Sequence, residues 1–286
     1  MLIIYFNAFV KKIRKPIESM QEFTTVTTKT PVALQTNSDS FREICLNIFA
    51  RVWALWGLVS FMLTFLLVFI PTMVSHLFPE KKGQDYFITV SRYWMSFWLK
   101  LIGCSLKITG TENFEPGKNY VVVYNHNALL DVPLSAPFIP GGNKTIAKAS
   151  FAKVPIFGLF YKRGSVLIDR KNDNSRLKSF EEMKLVLKKG MHMCLYPEGT
   201  RNRTGEPLKP FYDGAFKLAI VSKKDIIPCI LLGTKKAMPI NKTFYLLPTR
   251  LEMHFLPVIT SDGVKTKELK ETVFNIMLKH YVKASQ

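Results

Sequence analysis

Tyr120-Val121-Val122-Val123-Tyr124-Asn125-His126-Asn127-Ala128-Leu129-Leu130-Asp131 is the stretch on which the fold turns. Its apolar run, Tyr120 to Tyr124, reads as a strand. A histidine is therefore delivered at the strand's C-terminal end, where functional groups sit in α/β folds. Asp131 follows a turn or so later, with His126 in a strand-to-helix turn and Asp131 one turn inside the helix. A potential base and a carboxylate able to orient it are thus paired on one connection.

Working outward, comparable apolar runs recur at Thr145–Ala147, Ser165–Ile168, His192–Tyr196, Ile226–Leu232 and Leu251–Leu256. Helical patterns lie between several of them. Leu177, Phe180, Met183, Val186 and Leu187 share one face of a segment that stops at Gly190. Further helical patterns run from Gly214 to Ser222 and from Lys265 to Val282, the latter with Leu269, Val273, Ile276 and His280. Strands alternating with helices predict an α/β fold, a mixed sheet covered by helices on both faces.

Before this region the composition differs. Val52 to Ser75 carries no formal charge and is long enough to cross a bilayer, for which about 20 apolar residues suffice. Trp53 and Trp56 suit an interface, Pro71 is placed to kink or end the helix, and Ser40 with Glu43 forms a capping box at its expected start. Basic residues flank both sides (Arg42, Arg51; Lys81, Lys82), so charge does not choose an orientation. Asp85 to Gly103, rich in Tyr, Phe and Trp, reads as an amphipathic interfacial helix. The two segments are expected either as a hairpin with both ends cytoplasmic, or as one spanning helix followed by a helix packed on the domain. Residues 24 to 40 read as a Thr-rich linker, and the apolar-then-basic order of residues 1 to 15 is wrong for a signal peptide.

The chain has 286 residues, with 40 Lys and Arg against 21 Asp and Glu, a net charge of +19. With a hydrophobic N-terminal third, that balance favours an anionic membrane surface. No nucleic-acid partner is expected, because most tryptophans lie in the membrane-like part rather than among basic residues of a recognisable module. The four cysteines are scattered without metal or redox spacing, which indicates a reducing compartment and no disulfide framework. The five histidines lack ligand spacing, and no metal site is expected.

Two further clusters accompany the first. Tyr196-Pro197-Glu198-Gly199-Thr200-Arg201 follows an apolar run. There Gly199 allows close backbone approach to a ligand, Arg201 offers a planar fork for phosphate, and Glu198 is placed to hold Arg201 or a substrate hydroxyl. Gly164 to Arg170 ends in Asp169-Arg170, a second guanidinium near the strand ends. In order, these three clusters resemble the motifs of the glycerolipid acyltransferase family, in particular the 1-acyl-sn-glycerol-3-phosphate (lysophosphatidate) acyltransferase type. Asn125 to Asp131 matches Asn-His-x4-Asp, Gly164 to Arg170 matches Gly-x5-Arg, and Tyr196 to Arg201 matches Phe-Pro-Glu-Gly-Thr-Arg with Tyr for Phe. Ile227-Pro228-Cys229-Ile230 resembles the family's apolar fourth motif, and Lys148 to Gly158 its basic helix before the second.

The resemblance implies that His126 and Asp131 are catalytic and that Arg170, Glu198, Gly199, Thr200 and Arg201 bind the glycerol phosphate acceptor. Lys153 and Lys209 are added as phosphate contacts, against the plainer reading of solvated lysines. It implies acyl transfer from an acyl-CoA or acyl carrier protein thioester, the co-substrate, to the sn-2 hydroxyl of lysophosphatidate, without a cofactor or an acyl-enzyme. Backbone amides near the histidine turn are candidate oxyanion donors. The expected organisation is an arm and linker at 1–40, a membrane-associated helical segment at 41–105, and the acyltransferase domain at 106–286, at the cytoplasmic face. The alternatives are another acceptor (glycerol 3-phosphate, another lysophospholipid or a lyso-aminolipid) or a non-catalytic protein binding anionic membranes.

Overall fold

The computed structural model describes residues 37–169 and 171–285. Residues 44–286 group as one compact unit. The arm expected at residues 1–40 falls almost wholly outside the described residues. So does Arg170.

Two helices come first, α1 (Asn37–Met73) and α2 (Glu80–Leu101), joined through a short 3-10 turn. The remaining elements are β1 (Leu106–Thr109), β2 (Val121–Tyr124), α3 (Asp131–Ser135), β3 (Asn143–Lys148), α4 (Phe157–Gly164), β4 (Ser165–Ile168), α5 (Asp173–Lys188), β5 (His192–Leu195), α6 (Gly214–Ser222), β6 (Ile226–Leu232), α7 (Thr234–Ala237), β7 (Leu251–Phe255) and α8 (Thr266–Ala284). The strands form one sheet in the order β1-β7-β6-β2-β5-β3-β4. Every neighbouring pair is parallel except β6 with β7, so the sheet is mixed.

Side chains alternate across a strand, and β2 shows how the two cores are built. Val121 and Val123 join one cluster with Met183 and Leu187 of α5, Phe216 of α6 and Val273 of α8. Val122 and Tyr124 join the other, with Trp94 and Trp98 of α2 and Leu134 of α3. Both faces are therefore covered, as the alternating pattern predicts. All four β2 residues are buried, which is why the strand reads as an unbroken apolar run.

The N-terminal helices depart from the sequence reading. Helix α1 already runs through Ser40, so Ser40 does not open it. It ends two residues after Pro71, whose missing N–H and ring disfavour continuation. The stretch Phe41–Leu77 is long and apolar enough to cross a membrane, and only 28% of its most apolar window is buried within the protein. Helix α2 is not an interfacial helix lying apart. Its Trp94, Met95, Trp98 and Leu99 are buried in the core. Trp94 Nε1 donates to Thr64 Oγ1 at 2.9 Å and Trp98 Nε1 to the Gly57 carbonyl at 3.1 Å. Trp53 and Trp56, expected as interface anchors, donate to the carbonyls of Ile102 (3.0 Å) and Leu101 (2.9 Å). They satisfy carbonyls that the C-terminal end of a helix leaves without intrahelical donors.

Candidate active site

The site forms where β2 ends beside β5 and β6. Asn125 fixes the exit of the strand: its side chain accepts from the Leu231 amide (2.7 Å) and donates to the Leu231 carbonyl (3.0 Å). A side-chain amide here imitates a strand partner and holds the end of β2 against β6. The chain then turns, and His126 stands at the turn with its side chain 16% exposed.

His126 Nδ1 lies 2.8 Å from Asp131 Oδ2, and the carboxylate is fully buried. Asp131 is the first residue of α3 rather than a turn inside it. Its Oδ2 also accepts from the amides of Asn127 (2.6 Å) and Ala128 (2.7 Å), closing the loop onto the carboxylate. With Nδ1 engaged, Nε2 is the ring nitrogen left for a substrate proton.

Tyr196 supports this pair. Its ring lies 4.4 Å from the imidazole centroid, and its hydroxyl donates to the Asp131 carbonyl at 3.0 Å and lies 2.8 Å from Ser135 Oγ. Tyr196→Phe removes both contacts. The variant is expected to lose about 1–2 kcal/mol of stability in denaturant unfolding while retaining most of its turnover. A stability loss below the error of the measurement would show that the hydroxyl contributes nothing to holding α3.

Glu198 corrects the sequence reading. It is fully buried and bonds neither Arg201 nor the surface. Its Oε1 accepts from the His126 amide (2.8 Å) and its Oε2 from the Lys209 amide (3.2 Å). Burial pushes its carboxyl up to about 7, against the pull of those two amides and of the Lys209 charge. Glu198 thus clamps the histidine turn from behind. The Asn202 amide adds a bond to the His126 carbonyl at 2.6 Å.

These contacts also correct the expected oxyanion donors. The amides of His126, Asn127 and Ala128 all point at carboxylates, and those of Gly199 and Thr200 bond the carbonyls of Tyr196 and Glu198.

Gly199 has φ +71°, and a Cβ there would come within 2.8 Å of the Tyr212 ring. Glycine is required by the left-handed turn, rather than by ligand approach alone. Lys209 Nζ donates to Thr200 Oγ1 at 2.7 Å, tying Thr200 into the loop. Arg201 is half-buried, and among the described residues its guanidinium has no hydrogen-bonding or ionic partner. Lys153 is exposed at the end of a 3-10 turn after β3, and no contact joins it to the site.

Sequence reasoning placed Asn125 in the first motif without giving it a role, and missed Tyr281 and the clamping role of Glu198. Tyr281, near the end of α8, comes close to the Asn127 side chain and within electrostatic reach of the Asp131 and Glu198 carboxylates. Only its place in the chain, far from every motif, kept it hidden. Cys194 is buried beneath the site, with Sγ 3.6 Å from Asn143 Oδ1, and burial pushes its thiol far above the usual range, so it supplies no thiolate.

Comparison with known proteins covers the segment that holds these residues. A family model described as Acyltransferase matches residues 105–232. The 1-acyl-sn-glycerol-3-phosphate acyltransferase of Cocos nucifera is 32% identical over 176 residues, covering 60% of this chain and 55% of that protein. The 1-acyl-sn-glycerol-3-phosphate acyltransferase alpha of Ovis aries is 30% identical over 171 residues, 59% of each. The chain thus spans a little over half the length of these curated relatives. In three dimensions it is similar to the crystal structure of the 1-acyl-sn-glycerophosphate (LPA) acyltransferase PlsC from Thermotoga maritima, with a TM-score of 0.70 over 83% of this chain and 97% of that one. At 19% identity this likeness speaks for the fold.

Proposed function

From the premise that residues 105–232 are a domain of the acyltransferase family, we propose that the protein transfers a fatty acyl group from a thioester to the sn-2 hydroxyl of lysophosphatidate, forming phosphatidic acid for phospholipid synthesis. The observation that carries this reading is the 2.8 Å contact between His126 Nδ1 and the buried Asp131 carboxylate at the strand ends.

An alcohol attacks a thioester only as its proton leaves. His126 Nε2 takes that proton while the oxygen bonds to the acyl carbon. Asp131 holds the tautomer and steadies the imidazolium. The tetrahedral intermediate then collapses, the carbon–sulfur bond breaks, and the imidazolium returns the proton to the leaving thiolate. Arg201, with Arg170 by its place in the motif, grips the acceptor phosphate and converts a collision into a positioned encounter. The exposed apolar length of α1 anchors the protein in the membrane, with the catalytic domain on the cytoplasmic side. The unpaired cysteines are consistent with that side.

The test is acyl transfer in detergent from palmitoyl-coenzyme A to a panel of acceptors: oleoyl-lysophosphatidate, glycerol 3-phosphate, lysophosphatidylcholine and a lyso-aminolipid. Lysophosphatidate should be preferred, and a panel led by another acceptor would replace it. Arg201→Ala should raise KM for lysophosphatidate by about 10- to 100-fold, the loss of one or two charge-assisted bonds, with a smaller change in kcat. An unchanged KM would remove Arg201 from the acceptor site.

A further inference from the structure

At the opposite end of the sheet from β1, strand β4 is an edge. Along it runs a groove of about 460 Å³, lined from α4 and α5, that the acceptor site does not use. Four ammonium groups line it, Lys144, Lys162, Lys178 and Lys189, against the carboxylates of Glu80 and Glu182. Glu80 is shared by two of them: Lys144 donates to it at 3.3 Å and Lys189 bonds its other oxygen. Lys162 and Lys178 are exposed and have no ion-pair partner among the described residues.

The floor is different. Val166 and Leu167 of β4 and Leu185 and Val186 of α5 make it apolar. Because β4 is an edge, the amides on its outer side have no strand partner among the described residues. An apolar floor and a lysine rim in a concavity of this size suit a flat base carrying phosphates. The guanidinium groups at the strand ends are assigned to the acceptor, so an anionic donor needs a second basic surface.

The groove's place also fits. Strands β3 and β4 run parallel to β2 through β5. The end of the groove at Ala149, Leu167 and Ser175 therefore opens at the same edge of the sheet as His126. Three strand spacings separate β4 from β2, about 14 Å. A pantetheine arm is equivalent to about four residues of extended chain and spans a similar ~14 Å.

We propose that this groove receives the phosphate-bearing nucleotide end of a coenzyme A thioester, with the pantetheine arm crossing the strand ends to bring the thioester carbonyl to His126. The proposal rests on the acyl-transfer reading above and names its donor. A carrier-protein thioester, which presents a folded acidic surface instead of a nucleotide, is an outcome of the test.

The experiment compares two donors, palmitoyl-coenzyme A and palmitoyl-N-acetylcysteamine, which lacks the nucleotide. In the Lys162→Glu/Lys178→Glu double variant, the ratio of kcat/KM between the two donors should fall by about tenfold or more through the KM for palmitoyl-coenzyme A, as two charge-assisted contacts are lost. The Lys162→Arg/Lys178→Arg variant should restore most of it. An unchanged ratio overturns the proposal, as does wild-type activity confined to a carrier-protein thioester. Should the wild type transfer an acyl group from no donor, the reaction itself falls. The groove is then judged by calorimetric titration with adenosine 3′,5′-bisphosphate: saturable binding lost in the double variant supports it, and absence of binding overturns it.

Discussion

His126→Ala is expected to lower kcat for acyl transfer by about 10³-fold, within the range that a positioned acid–base group supplies. Among the described residues, neither carboxylate beside His126 is placed to take the acceptor's hydroxyl proton. Asp131 is fully buried and faces the imidazole, and Glu198 is turned inward onto two backbone amides. The fold should survive, since Asp131 Oδ2 keeps the amides of Asn127 and Ala128. A stability loss of about 1–2 kcal/mol is expected for the missing contact. Circular dichroism and unfolding in denaturant check the fold, and a radiolabelled acyl-transfer assay checks the rate. Turnover near that of the wild type, in a folded variant, would end the assignment of His126 as base.

Asp131→Asn is expected to be nearly as severe, lowering kcat by about 10²- to 10⁴-fold, because a neutral amide keeps the shape but carries no charge to steady the imidazolium. The wild-type geometry makes this a clean substitution. One oxygen, Oδ2, takes the imidazole and both amides, while Oδ1 is buried without a partner. The carbonyl of asparagine can occupy the Oδ2 position. Its NH2 then falls where nothing accepts a hydrogen bond, which costs about 1–3 kcal/mol of stability. Asp131→Ala should be less stable still, since it leaves two amides and a ring nitrogen unpaired. If Asp131→Asn kept full activity, the carboxylate would be a structural staple for the loop, with no part in the proton transfer.

Much of the architecture was legible because burial on both faces leaves apolar runs. Val121 to Tyr124 and Ile226 to Leu232 are of this kind. Strand β1 was missed: Leu106-Lys107-Ile108-Thr109 is four residues at the sheet's edge, half-buried in alternation, and too short to stand out from a loop. The histidine and aspartate were readable because their spacing and chemistry belong together. Glu198 was misjudged for a physical reason. A glutamate next to glycine in a turn ordinarily faces solvent, and only the return of the chain past Lys209 reveals two amides waiting for its oxygens. Aromatics misled in the same way. Trp94 and Trp98 recur at helical spacing with Phe87 and Ser91, a stripe that signals packing as well as it signals an interface.

The indole bonds from Trp53 and Trp56 to the end of α2, and from Trp94 and Trp98 back to α1, have a mechanical consequence. They clasp the long apolar helix to α2, which in turn packs on the sheet through Trp94 and Trp98. On the proposed membrane anchoring of α1, a tilt of that helix, set by the thickness of the surrounding lipid, would be passed through α2 towards the imidazole. The height at which the reaction centre rides above the lipid then becomes a property of the host membrane, and a thinner or thicker bilayer raises or lowers the reactive nitrogen relative to the glycerol backbone.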